Sequence, residues 1–496
     1  MQKPNNINSA EFKKMMNDFE GFQNPGTRGS KDGVKSHQGE GINFDMIPEE
    51  LEAYLNEFVV EQKKAVEILA TKICTHFNRM KLEKYGKLKR PIIGNIKNNI
   101  LMIGPTGVGK TFMVKLIADK IGVPFVKADA TKFTETGYVG GDVEDLVRDL
   151  VHAADGNIAA AEYGIIYIDE IDKIASASNS RGPDVSRTGV QRNLLKLMEE
   201  AEVNLRTPHD LASQMEAAMQ AQKTGKVEKK VINTRNILFI VSGAFAGLER
   251  IIEKRRNISG IGFNTGVKEK KDYNVDLFRS VRTEDFMTYG FESEFIGRLP
   301  VIAVLDQLDE NGLYKILKNE NSSVILGKTM DFAAYDIDLE FSDEALFEIA
   351  KMAHLEKTGA RGLSSVLEKI LVKFEKKLPS TAVRKLFVDD NVLNNPEHVL
   401  TKLVNESVFL SFSENFKKNH NIDIDFTETA EDILRELALE NSLSVEKHLE
   451  NVFENYQHGL HLLNADNFKV DEECAKNPEK YLNEFIRKTR EEKKEI

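Results

Sequence analysis

The sequence predicts an α/β fold: a parallel sheet flanked by helices, followed by a smaller, mainly helical domain and a C-terminal helical extension. Three observations predict it. Short apolar runs (NNILMIG, VPFVKAD, GIIYIDE and NILFIVSGA) alternate with helical stretches such as 140–154 and 189–200, the pattern of strands buried on both faces. One of those runs enters a glycine-rich turn and then a helix. After about Pro300 the alternation stops and helical spacing takes over.

Bulk properties bound the functions on offer. A chain of 496 residues exceeds one core and implies roughly three or four packed units. Hydrophobic residues at 41% and charged residues at 30% describe an ordinary soluble protein. A formal net charge of −11 argues against general nucleic-acid binding. The two cysteines, Cys74 and Cys474, make neither a four-cysteine zinc site nor a disulfide framework, so a reduced, cytoplasmic setting is expected. No apolar run is long enough to span a bilayer, and the first residues lack a signal-peptide core.

Taken in order, residues 1–45 are polar and glycine-rich with little periodicity, and read as a mobile tail. Structure is expected from Pro48, where PEELEAYLNEFVV places acids in a first helical turn. A second helix over 61–84 sets Ala65, Leu69 and Ile73 on one side. The sheet-forming large domain then runs to about residue 312. It is interrupted at 205–230 by a polar, helix-prone stretch that reads as an insertion between two core strands. A small domain follows over 313–395, and an extension over 396–496.

The extension carries an internal echo. Asp336-Ile337-Asp338-Leu339-Glu340-Phe341 precedes a helix with Ala345, Ile349 and Ala353, and Asn421-Ile422-Asp423-Ile424-Asp425-Phe426 precedes one with Ala430, Leu434 and Ala438. Two readings stand: chance likeness of two strand–helix units, or a duplicated small domain.

The chemistry is concentrated in two strand ends. Gly104-Pro105-Thr106-Gly107-Val108-Gly109-Lys110-Thr111 follows the strand ILMI and opens a helix. This is a P-loop: its glycines let backbone N–H groups curl around phosphate oxygens at a helix N-terminus. Lys110 is expected to reach the β- and γ-phosphates of ATP, and the Thr111 hydroxyl to hold Mg²⁺. The strand Ile165-Ile166-Tyr167-Ile168 ends in Asp169-Glu170. Asp169 is expected to orient Mg²⁺ through its water shell, and Glu170 to polarise the attacking water. Hydrolysis also needs positive charge at the γ-phosphate, and two arginines lie in glycine-flanked contexts: Arg298 in FIGRLP and Arg361 in GARG. On chemistry alone each is more often a salt-bridged surface residue.

Residues 48–393 resemble the ClpX/HslU family of AAA+ protein-unfolding ATPases. The resemblance rests on GPTGVGKT, GYVG, IDEIDKIA, GVQRNLLKLMEE, SGAF, EFIGRLP and KTGARGL. It implies an AAA+ large and small domain, a homohexameric ring, ATP and Mg²⁺ as cofactors, and polypeptide substrates. It also implies that Tyr138 and Val139 of GYVG line the pore, that Arg298 is the finger reaching a neighbour's nucleotide, and that Arg361 is the sensor coupling nucleotide to the small domain. Ser242 stands at the sensor position on the strand NILFIVS, and Val60 in VVEQ at the adenine-contact position. Ile261-Gly262-Phe263 resembles the loop with which ClpX docks onto its ClpP peptidase ring, and implies a ClpP-like partner.

The branch is mixed. VKADATKFTETGYVG and GPDVSRTGVQRNLL resemble HslU, yet residues 141–164 are too few for the HslU inserted domain. EFIGRLP, GAFAGL and Ile261-Gly262-Phe263 resemble ClpX. The ClpX zinc-binding N-terminal domain is not expected, the basic second pore loop is replaced by 205–230, and residues after 395 have no counterpart in either family. Three readings therefore stand side by side: a hexameric unfoldase serving a ClpP-type peptidase, a peptidase-independent remodelling chaperone or HslU-like unfoldase, and a nucleic-acid motor. The acidic charge and the aromatic pore motif disfavour the last. No membrane partner is expected.

Overall fold

The computed structural model describes residues 44–84, 97–134, 141–176, 185–205, 230–258, 275–463 and 465–492. Two helices open it, α1 (Pro48–Phe58) and α2 (Lys63–Lys84). Pro48 stands in the first turn of α1 with Glu49 and Glu50, where a missing N–H costs nothing and acids meet the positive helix end. In α2 the expected stripe of Ala65, Leu69 and Ile73 is buried.

The large domain is built on β1 (Ile100–Ile103), α3 (Lys110–Ile121), β2 (Phe125–Asp129), α4 (Asp145–Ala153), β3 (Ile165–Asp169), α5 (Val185–Met198), β4 (Glu202–Asn204), β5 (Val231–Asn233), β6 (Leu238–Gly243), α6 (Leu248–Ile258), α7 (Thr283–Tyr289), α8 (Ser293–Gly297) and β7 (Val301–Val304). Five strands make one parallel sheet in the order β2-β3-β6-β1-β7. Strand β6 is thus inserted between the strand that leads into the P-loop and the strand that ends in the acidic pair. Residues of β1, β3 and β6 are almost wholly buried, which is why they read as continuous apolar runs rather than alternating ones.

Two expectations shift. The helix expected over 140–154 begins at Asp145, because residues 141–144 form a turn in which Asp145 accepts from the Asp142 N–H. The polar insertion does not join two strands of the main sheet directly. The strands on either side of it, β4 and β5, pair antiparallel with each other, and their last described contact is Leu205 N–H to Lys230 O at 3.1 Å; residues 206–229 lie outside the described residues.

After β7 the chain forms α9 (Glu310–Lys318), α10 (Ser323–Ala333), β8 (Asp338–Phe341), α11 (Asp343–Leu355), α12 (Ala360–Lys377), β9 (Lys385–Val388), α13 (Asp390–Asn394) and α14 (Pro396–His420). It ends with β10 (Asp423–Phe426), α15 (Glu428–Glu440), α16 (Val445–Phe453), α17 (Tyr456–Leu463), β11 (Asn467–Val470), α18 (Glu472–Lys476) and α19 (Pro478–Glu492).

The sequence echo has a geometric counterpart. β8 pairs in parallel with β9, and β10 with β11. Ser342 caps α11 by accepting from Ala345 N–H, and Thr427 caps α15 by accepting from Ala430 N–H. Asp336 and Asn421 precede the two strands with φ of 58° and 55°, and Lys357 and Ser442 follow the two capped helices, each with φ of 54°. Asp389 and Asp471 cap the short helices after the second strands. The C-terminal residues also have their own core, centred on Phe409, Phe453, Tyr456 and Phe468. Among the described residues no helix is long and apolar enough to cross a membrane.

Candidate active site

The site lies at the carboxyl edge of the main sheet, where β1 runs into the P-loop, β3 ends in Asp169 and β6 ends in Gly243. Such an edge, beside a strand inserted out of chain order, is where open α/β sheets bind ligands. In the P-loop Gly107 and Gly109 have φ of 77° and 94°, the left-handed region that glycine enters without cost. Gly109 caps the N-terminus of α3, whose first residues are Lys110 and Thr111. The Lys110 ammonium donates to Gly104 O at 2.7 Å and Pro105 O at 2.8 Å. Burial depresses its pKa, opposed by Asp169 and Asp172 and reinforced by the positive charge of Arg361.

Facing it, Asp169, Thr111, Ser242 and Tyr167 make a closed polar ring. Thr111 Oγ1 donates to Asp169 Oδ2 at 3.2 Å, and Ser242 Oγ donates to Asp169 Oδ1 at 2.6 Å. The Tyr167 hydroxyl lies 2.7 Å from Ser242 Oγ and 3.2 Å from Thr111 Oγ1. Burial pushes the Asp169 pKa up, but the Ser242 hydroxyl, the Glu170 N–H and the charges of Lys110 and Lys127 outweigh it and hold the carboxyl below its usual range. Asp169 is therefore an anion ringed by hydroxyls, and with Thr111 it offers the hard oxygen donors that Mg²⁺ takes. Among the described residues no group of three or more His, Cys, Asp or Glu converges in a metal-binding arrangement.

Glu170, next in sequence, is exposed and has φ 56° and ψ 33°. A non-glycine residue in this region is uncommon, and Glu170 is one of eight such residues among those described. The turn follows the end of β3, so Asp169 is held within the polar ring while Glu170 is exposed beside it.

The small domain closes on the P-loop by backbone contact. Ala360 N–H donates to Gly107 O at 2.9 Å, and a Cβ on Gly107 would lie 2.0 Å from Thr358 O. The GAR segment is thereby seated on the phosphate loop, with Arg361 at the start of α12.

Arg298 is elsewhere. It follows α8 and precedes β7, and its carbonyl accepts from Asn99 Nδ2 at 3.1 Å, just before β1. It belongs to the amino edge of the sheet, separated from the P-loop by the length of β1, about 13 Å for four residues. Its guanidinium pairs with Glu199 at 2.5 Å.

Val60 is half-buried between α1 and α2. Its neighbours tie the first helices to the start of the small domain: Gln62 exchanges two hydrogen bonds with the Asp306 backbone, and Glu61 pairs with Lys315 at 2.7 Å. The pore candidates Tyr138 and Val139 and the docking candidates Ile261, Gly262 and Phe263 lie outside the described residues. The ends of the first of these segments are joined by Gly141 N–H to Lys132 O at 3.1 Å. Sequence reasoning missed Tyr167 and Glu199; a tyrosine inside IIYID reads as core, and a glutamate ending a helix reads as surface.

Comparison with known proteins agrees with this geometry. Residues 95–302 match the family model of the AAA domain (Cdc48 subfamily). Residues 308–378 match the C-terminal, D2-small domain of ClpB protein. The chain is 40% identical over 352 residues to the ATP-dependent Clp protease ATP-binding subunit ClpX of Borrelia duttonii (strain Ly), covering 70% of this chain and 78% of that one. It is 39% identical over 364 residues to ClpX 3 of Methylococcus capsulatus, covering 70% and 80%. To ClpX of Treponema denticola it is 37% identical over 355 residues, covering 70% and 81%.

Proposed function

The chain belongs to the ClpX family of AAA+ ATPases, and from that premise we propose that it is an ATP-driven protein unfoldase, working as a homohexameric ring that feeds a ClpP-type peptidase. One observation carries the ring: the P-loop, Asp169, Glu170, Ser242 and Arg361 share one edge of the sheet, while Arg298 stands at the other. This placement keeps Arg298 away from the phosphate site of its own chain, which supports a finger charge supplied by a neighbour.

In this reading the P-loop N–H groups and Lys110 hold the ATP phosphates, and Thr111 and Asp169 hold Mg²⁺, the latter through water. The metal supplies charge neutralisation at the phosphates. Glu170 positions and polarises the attacking water. Lys110 leaves the carbonyls of Gly104 and Pro105 for phosphate oxygens, exchanging neutral acceptors for charged ones. Ser242 holds Asp169 in place, Arg361 carries nucleotide state to the small domain, and Tyr138 with Val139 grips the substrate chain. The names of the relatives support the peptidase partner, and Ile261-Gly262-Phe263 is its proposed docking tripeptide. We further infer that residues 396–492 are a second, nucleotide-free copy of the small domain, a reading supported by the matched caps, left-handed residues and parallel strand pairs.

The test is Glu170→Gln. It is expected to abolish ATP turnover while leaving ATP binding and ring assembly intact, and in ATP to retain both substrate polypeptide and ring partner in a pull-down. Turnover at the normal rate removes Glu170 from the mechanism. A peptidase-free remodelling role is favoured by the polar insertion between β4 and β5 and by a C-terminal region beyond the small-domain match. Deleting Ile261 to Phe263 separates the two: degradation lost with ATPase kept supports the peptidase reading, and no effect supports remodelling.

A further inference from the structure

Tyr167 is a buried residue of β3 with 0% exposure, and phenylalanine would fill the same space in the core. Its hydroxyl is therefore the part to be explained, since a buried hydroxyl persists only where it is satisfied. It reaches the only two neutral hydroxyls of the polar ring, Ser242 Oγ at 2.7 Å and Thr111 Oγ1 at 3.2 Å.

The ionised carboxylate of Asp169 only accepts. Thr111 and Ser242 each spend their single hydroxyl proton on it. Both are then left as acceptors, and the one remaining proton in the ring is that of Tyr167. Its nearest partner is Ser242 Oγ at 2.7 Å, with Thr111 Oγ1 at 3.2 Å and the Asp169 carboxylate also beside it, so Ser242 is taken as the acceptor of its proton. With the Tyr167 proton on Ser242, Thr111 accepts no hydrogen bond from Tyr167 across their 3.2 Å contact, and its lone pairs stay uncommitted.

We propose that Tyr167 is a positioning residue of the nucleotide site: its hydroxyl locks Ser242 onto Asp169 and leaves the Thr111 oxygen open for a divalent cation. The proposal rests on the reading that Lys110, Thr111 and Asp169 bind Mg²⁺-nucleotide. Ser242 has two anchors, accepting from Tyr167 and donating to Asp169, and this fixes its rotamer. Register makes the arrangement possible. Ser242 pairs with Met102 on β1 and follows Val241, which pairs with Ile168 on β3. Its hydroxyl is thus level with Asp169 and above Tyr167, which lies two residues back along β3 on the same face.

The test is equilibrium binding of a methylanthraniloyl derivative of ADP to the full chain, once in excess EDTA and once in excess Mg²⁺, for the natural protein, Tyr167→Phe, Ser242→Ala and the double variant. The quantity read is the factor by which Mg²⁺ tightens binding. Losing one anchoring hydrogen bond is expected to reduce that factor about 3- to 10-fold in Tyr167→Phe, with metal-free affinity unchanged. Ser242→Ala should show a similar loss, and the double variant no further loss, because both act through one link. A merely structural role for Tyr167 would weaken metal-free and metal-bound nucleotide alike. An unaltered factor in Tyr167→Phe, or losses that multiply in the double variant, would overturn the proposal. Should Phe at 167 cost the fold, as judged by thermal unfolding, Ser242→Ala alone decides: a full Mg²⁺ effect in it overturns the link. If the natural chain binds no nucleotide in either condition, the nucleotide reading itself fails, a result distinct from these.

Discussion

Gly107 and Gly109 are both P-loop glycines with positive φ, yet a methyl group on each should act very differently. At Gly109, φ is 94° and a Cβ would meet nothing within 4 Å. Alanine there bears only the left-handed backbone cost, about 1–2 kcal/mol. At Gly107, φ is 77° and a Cβ would lie 2.0 Å from Thr358 O and 3.1 Å from Gly359 Cα. Real Cβ atoms do not approach closer than 3.0 Å, so the small-domain backbone must withdraw by about 1 Å. That withdrawal breaks the 2.9 Å hydrogen bond from Ala360 N–H to Gly107 O, worth about 0.5–1.5 kcal/mol beyond the backbone cost. The sensitive assay is hydrogen exchange at the Ala360 amide in nucleotide-free protein. Gly107→Ala should raise its exchange rate about 2- to 12-fold, while Gly109→Ala leaves it at the natural rate. Equal protection in both variants would refute the claim that the phosphate loop and the small domain meet through this glycine.

Separation of Arg298 from the P-loop makes a complementation test. Arg298→Ala and Lys110→Ala chains should each lack ATPase activity alone, yet mixed assemblies should recover part of it, since some interfaces then pair an intact Lys110 with an intact Arg298. Absence of recovery in assembled mixtures would count against a finger acting between chains. The buried His76 supplies a pH prediction. Burial lowers its pKa to about 4, and its Nε2 lies 3.1 Å from Asn236 O. The unfolded chain, titrating near the ordinary 6.5, binds more protons than the folded one between those values. Stability should therefore fall as pH drops from about 6.5 to about 4, by a total of about 3 kcal/mol. His76→Gln, which keeps a donor for Asn236 O, should flatten that acid limb of the stability profile. An unchanged limb would assign the acid sensitivity to other groups.

What was legible in the sequence was whatever is local. The P-loop announces itself because its backbone demands glycine at fixed spacing and its chemistry demands Lys110 and Thr111 beside them. The acidic pair at Asp169 and Glu170 is legible for the same reason. What was hidden depends on strand order and on distant pairings. Nothing in IIYID says that Tyr167 faces Ser242, since that requires β6 to lie between β1 and β3. The meeting of Gly107 with Thr358 joins residues far apart in the chain, and no periodicity encodes it. Arg298 was readable as an arginine near glycine, but its place at the amino edge follows only once β7 is known to lie parallel beside β1. The repeat was half legible. Its strands and capped helices match by pattern, whereas the long α12 of the first unit answers to two shorter helices, α16 and α17, in the second.

The proposed duplication also explains why the second unit should have no nucleotide chemistry. Lys357 and Ser442 occupy matched left-handed positions, so the residues that follow can be compared one by one. Gly359, which abuts Gly107 with φ 62° and ψ −145°, is answered by Ser444, a side chain that caps α16 instead. The backbone there is extended and carries a Cβ, which rules out the close approach that seats the first unit on a phosphate loop. Arg361 is answered by Glu446, so the charge at the start of the helix changes sign. An acid at a helix N-terminus is favourable for the helix itself and repulsive toward any phosphate. Ser444 and Glu446 thus serve the start of their own helix, where Gly359 and Arg361 of the first unit stand against the P-loop. On the proposed duplication, the second unit keeps the caps, the parallel strand pair and a core of its own, and lacks the contacts by which the first meets the P-loop.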